Sequence, residues 1–145
     1  MTSDRDHVVE LMIRYGVALD RRDWSMFRAC FTPDIVAVYE GFGTYEGHDA
    51  LEGFVRPSVE PLDATQHLFA NFLVQLDGDG ASFQCYVQAQ HVKQDLPGGH
   101  LFTIGGPYDN HAVRTPDGWK MDRFKFWVTW TGGNPDVLHH VEMEL

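Results

Sequence analysis

The sequence predicts an α+β fold, a curved antiparallel or mixed sheet wrapped as a cone around three N-terminal helices. Apolar residues recur at helical spacing in the first third of the chain, and from Thr65 the period changes to alternation. The turn signals Asp77-Gly-Asp-Gly80, Pro97-Gly-Gly99 and Thr115-Pro-Asp-Gly118 cut the second half into long hairpin-connected strands. Helices followed by a meander of strands segregate to one face of a sheet. Long, twisted strands over helices form a cone, which leaves a pocket between the layers.

Each element has a local reason. Ser3 with Asp6 three residues on is a helix-start signal. Val8, Leu11, Met12, Tyr15 and Leu19 then form one apolar stripe, and Arg14, Arg21 and Arg22 fall off it. Asp20 sits at the corner that follows. Asp23 caps a second helix, with Trp24, Phe27 and Phe31 facing inward and Pro33 as its stop. Ile35–Tyr39 reads as a strand, and Gly41–Gly47 as a turn and a second short strand. His48–Val55 reads as a third helix, and Pro57 and Pro61 bracket a loop. Thr65–Leu76 is apolar on both faces and reads as a central strand. Ala81–Val92 returns with Phe83, Cys85, Val87, Ala89 and His91 on its apolar side. Leu101–Arg114 follows, with a bulge at Gly105-Gly106-Pro107, and Trp119–Thr131 closes the sheet. The tail from Gly132 to Leu145 fits neither period.

At 145 residues, one domain spanning 1–145 is expected. The formal net charge of −10 excludes nucleic acid as a partner, because phosphates would be repelled. No polybasic patch suits a membrane surface, and no start signal or long apolar run suggests export or insertion, so a cytoplasmic protein is expected. Cys30 and Cys85 are too few for a disulfide framework and read as buried thiols. No zinc spacing and no glycine-rich phosphate loop occurs. Chemistry by side chains alone, without metal or cofactor, is the expectation.

The candidate chemistry centres on Asp20, a carboxylate between apolar Val17-Ala18-Leu19 and the core anchors Trp24 and Phe27. It is either a solvated corner or an inward-pointing acid whose partners are His67 and His91. Alternation places His67, Phe69 and Asn71 on one face and His91 on an apolar one. Tyr39, Tyr108 and Asn110 fall on the neighbouring strands. Imidazole titrates near neutral pH and can take and return a proton, and a carboxylate on its other nitrogen fixes the tautomer. Phenol and amide donors can hold a carbonyl oxygen as it gains charge. Against this stand plainer readings: a strand histidine is more often a core or surface residue, and Asp20 is often what a helix end carries.

The pattern Tyr15-x-x-x-x-Asp20-x-x-Asp23-Trp24-x-x-Phe27-Arg28-x-Cys30-x-x-Pro33 resembles the scytalone dehydratase and SnoaL-like branch of the nuclear transport factor 2-like superfamily. Tyr39, His67, His91, Tyr108-Asp109-Asn110 and Asp117-Gly118-Trp119-Lys120 continue the resemblance over nearly the whole chain. It implies that His67 and Asp20 are an acid–base pair, and that His91, Tyr39 and Asn110 lie in the site. Leu19 stands where that family has a tyrosine, which Tyr15 compensates, and Tyr108 replaces a serine. Tyr15 is thus counted as catalytic, and Tyr108, Asn71 and Trp24 join Asn110 as substrate contacts. A cofactor-independent dehydratase acting on a small hydrophobic carbonyl compound (polyketide, aromatic or steroid-like) is the expectation. An isomerase or cyclase, or a noncatalytic binder, are the rivals. The resemblance also implies a homodimer or homotrimer.

Overall fold

A computed structural model describes residues 2–138, so the expectations for the last seven residues of the tail lie outside the described residues. Helix α1 (Asp4–Arg21) starts at Ser3, whose side chain accepts from the Asp6 amide while Asp6 reaches back to the Ser3 amide. It ends at Arg22, in the left-handed conformation at φ 56°. Helix α2 (Trp24–Ala29) is capped by Asp23. It stops before Phe31, which already belongs to β1 (Phe31–Tyr39), so Pro33 does not end the helix. Pro33 lies instead where the β1 ladder is irregular, between Phe31 and Val36, as a residue without a backbone donor should.

Strand β2 (Gly43–Glu46) pairs with β1, and α3 (His48–Val59) runs through Pro57. The loop expected there is absent because buried Val55 and Val59 anchor the last turn from both sides of the proline. Strands β3 (Ala64–Asp77), β4 (Gly80–Val92), β5 (Leu101–Thr115) and β6 (Gly118–Phe126) form the expected antiparallel meander. β1 joins β6 in parallel, giving the order β2-β1-β6-β5-β4-β3 in a mixed seven-stranded sheet, curved and unclosed. The α+β class is as expected. β3 is an edge strand rather than a central one, and Leu68 and Leu73 on it stand 56% and 70% exposed.

Two irregularities shape the inner surface. The bulge lies in β3 between Ala70 and Leu73, at Asn71 with φ 59°, and the β4–β5 register runs unbroken through Gly105–Pro107. The glycines serve close approach instead: a β-carbon on Gly105 would land on the Trp130 indole, and one on Gly106 on the Trp127 carbonyl. The stretch read as one closing strand therefore breaks after Phe126 and crosses over β5. It resumes as β7 (Trp130–Gly133), paired with the first half of β5. A short 3-10 turn, Pro135–Leu138, follows and buries Val137 and Leu138.

Candidate active site

Between α1, α3 and the inner face of the sheet lies a chamber of about 110 Å³. Its walls are mostly apolar, and besides Ser58, whose hydroxyl donates to the Phe54 carbonyl, five polar side chains reach it: Tyr15, Tyr39, His67, His91 and Tyr108. All five are among the residues singled out from the sequence. Asp20, in the last turn of α1, stands behind His67. The His67 Nδ1 lies 2.7 Å from Asp20 Oδ1, and the His67 amide donates to Oδ2 at 3.0 Å. The Thr65 hydroxyl donates to Oδ1 at 2.9 Å.

The contact requires α1 and β3 to approach closely, and Gly16 permits it. A β-carbon there would stand 2.9 Å from the Phe69 ring and 3.3 Å from the His67 β-carbon. Burial raises the Asp20 pKa, but the hydrogen bonds from the His67 ring and amide and from Thr65 together outweigh it. The carboxyl therefore sits below its ordinary value and is ionised at neutral pH. An ionised carboxylate only accepts, so His67 carries its proton on Nδ1. Its Nε2, without a hydrogen-bond partner among the described residues, is then free to act as a base.

His91 differs. Its Nδ1 donates to the Phe102 carbonyl at 3.0 Å, which assigns the tautomer and leaves Nε2 as an acceptor. Burial, only partly offset by that bond, lowers its pKa to about 4. The ring is neutral at pH 7. The His91 and His67 rings are near-perpendicular, with centroids 5.9 Å apart at 84°.

The three tyrosines form one cluster. The Tyr15 hydroxyl lies 2.8 Å from that of Tyr39 and 3.3 Å from that of Tyr108. Burial raises all three pKa values, so each keeps its proton. Three protons face two contacts inside the cluster, and no other hydrogen bond from these hydroxyls occurs among the described residues. At least one O–H is left over for a ligand oxygen.

Other candidates are not in the chamber. Trp24 donates to Glu60 at 3.0 Å and lies under the Arg56 guanidinium. Asn71 is turned outward by the bulge and is exposed. Asn110 is buried but does not line the chamber; its Nδ2 contacts Cys85 Sγ at 3.7 Å and its Oδ1 has no partner among the described residues. Thr65 and Arg22, by contrast, belong to the site's support and were not singled out. Thr65 lies two residues before His67 on the same strand face, which was the available signal. Arg22 carried none, since its reach depends on the left-handed turn. Among the described residues no three His, Cys, Asp or Glu side chains group to hold a metal ion, and no helix is long and apolar enough to cross a membrane.

The SnoaL-like domain model matches residues 1–125. The chain belongs to the SnoaL-like family. A protein of Mycobacterium tuberculosis is 32% identical over 127 residues, covering 83% of this chain and 82% of its own. A terrestric acid biosynthesis cluster protein of Penicillium crustosum is 29% identical over 138 residues, covering 91% and 87%. Among solved structures, a Kribbella flavida protein superposes with TM-score 0.84 at 25% identity, over 94% of this chain and 97% of that one. A Novosphingobium aromaticivorans protein described as a scytalone dehydratase gives TM-score 0.82 at 20% identity, over 90% and 87%, a likeness of fold. This SnoaL-like chain thus shares its architecture with a protein named as a dehydratase.

Proposed function

We propose that this SnoaL-like protein is a lyase that removes water from a compact β-hydroxy carbonyl compound by side-chain acid–base catalysis. The observation that carries this reading is the 2.7 Å contact of Asp20 with His67 Nδ1, which leaves Nε2 unpartnered beside the chamber. His67 Nε2 takes the α-proton, and Asp20 stabilises the imidazolium that forms. The bond electrons move toward the carbonyl, whose oxygen accepts the spare proton-donor bond of the Tyr15–Tyr39–Tyr108 cluster. As the double bond forms, the β-hydroxyl leaves with the proton that His67 returns, and the products are an unsaturated carbonyl compound and water. His91, bare at Nε2, does not supply that proton; it accepts a hydrogen bond from the hydroxyl before departure and so orients it.

The volume bears on the substrate. A cavity of 150 Å³ admits benzene, so about 110 Å³ favours a small open-chain molecule over a steroid-like skeleton. Isomerisation is the second reading, favoured by the burial of the His67 side chain, which is only 8% exposed: a proton kept on His67 away from bulk water can return to another carbon. Mass spectrometry of reactions with small β-hydroxy ketones separates the two, by loss of water or by unchanged mass. His67→Ala is expected to lower turnover by about 10²–10⁴-fold. Undiminished turnover in that variant would remove His67 from the mechanism.

A further inference from the structure

The support behind the Asp20–His67 pair has an order to it. Asp20 Oδ1 accepts from both Thr65 and His67, and Oδ2 from the His67 amide. Thr65 in turn lies 2.9 Å from Arg22 Nη1. A guanidinium only donates, so the Thr65 oxygen must accept there, and its own proton must go elsewhere. The acceptor within reach is Asp20 Oδ1. The guanidinium is itself fixed, since Nη1 also donates to the Leu19 carbonyl at 3.0 Å and Nη2 to the Val59 carbonyl at 2.7 Å. Arg22 reaches these groups because its backbone turns left-handed at the end of α1. One side chain therefore joins the end of α1, the end of α3 and the start of β3.

We propose that Arg22 and Thr65 are positioning residues for the Asp20–His67 pair: Arg22 donates to the Thr65 oxygen, turns the Thr65 proton onto Asp20 Oδ1, and so fixes the carboxylate edge that meets His67 Nδ1. The proposal deepens the acid–base reading of the site and rests on it. The ionisable groups facing Asp20 are His67 from β3, His91 from β4 and Arg22 from beyond its own helix end. With the hydroxyl removed, the carboxylate loses one of three donors, and its charged form is less favoured.

The test is a pH titration of the Asp20 side-chain carboxyl carbon by NMR in the full chain, which requires no substrate. Thr65→Val should move the midpoint upward, and Thr65→Ser, which keeps the hydroxyl, should leave it in place. Arg22→Lys cannot hold Thr65 and the Val59 carbonyl of α3 at once, so it should also move the midpoint upward, but not further when combined with Thr65→Val. An unmoved midpoint in Thr65→Val overturns the proposal, as does an Arg22→Lys effect of equal size in the Thr65→Val background. Should Thr65→Val not fold, Arg22→Lys decides alone, and an unmoved midpoint overturns it. A chain that shows no dehydratase turnover can still pass this test, and an active chain can fail it.

Discussion

His91 should make the protein sensitive to mild acid. In the unfolded chain its imidazole takes up a proton near 6.5, whereas in the folded chain burial delays uptake to about 4. Between those values the unfolded state binds more protons than the folded one, so stability rises with pH across the window. Conversely, lowering the pH from 6.5 to 4 removes stability, after which the contribution levels off. At about 1.4 kcal/mol for each pH unit, this gap corresponds to about 3 kcal/mol, a large share of the ~5–15 kcal/mol typical of a domain. Other groups contribute to the pH dependence of stability, so a difference is the quantity to measure. Urea unfolding of the native chain and of His91→Asn, whose amide can still donate to the Phe102 carbonyl, should be compared from pH 7 to pH 4. The native chain should lose about 3 kcal/mol more than the variant over that range. Parallel pH profiles, or an NMR titration that places the His91 midpoint near 6.5, would refute the argument that the ring is held neutral.

Gly16→Val should destabilise the chain by about 1–3 kcal/mol through overpacking against Phe69 and His67, and thermal unfolding will show it as a lower Tm. Tyr15→Phe leaves the buried Tyr39 and Tyr108 hydroxyls without their shared partner and should cost about 1–3 kcal/mol, read from urea unfolding at pH 7. Leu68 and Tyr86 stand exposed on the outer sheet face. Assembly through that face predicts a dimer or trimer by sedimentation at micromolar concentration, converted to monomer by Leu68→Asp; a monomeric native chain would end this idea.

Much of the site was legible because polar residues occur where the apolar patterns leave no reason for them. Asp20 interrupts an apolar run, and His91 continues an inward alternation, so both invite a partner. Tyr15 lies on the apolar stripe of α1, and Tyr39 and Tyr108 on alternating strands, so their convergence followed from the cone. Three features were not legible. The bulge at Asn71 breaks the two-residue period in mid-strand, so counting from His67 assigns every later residue of β3 to the wrong face. Pro57 reads as a helix stop, yet burial of Val59 carries the helix past it. Arg22 reads as solvated because the helical period assigns it no inward face, whereas a single left-handed residue redirects its side chain onto three elements.

Much of the chamber wall comes from parts of the molecule that do not carry the proposed Asp20–His67 pair. Asp20 and His67 are tied to each other and to main-chain groups at the junction of α1 and β3, while Phe42, Phe54, Val128 and Leu138 line the hollow from other segments. Trimming such lining residues therefore offers a route to admitting bulkier molecules while the Asp20–His67 pair keeps its alignment. Over evolutionary time the same separation would let one framework change what it accepts without reinventing how it reacts.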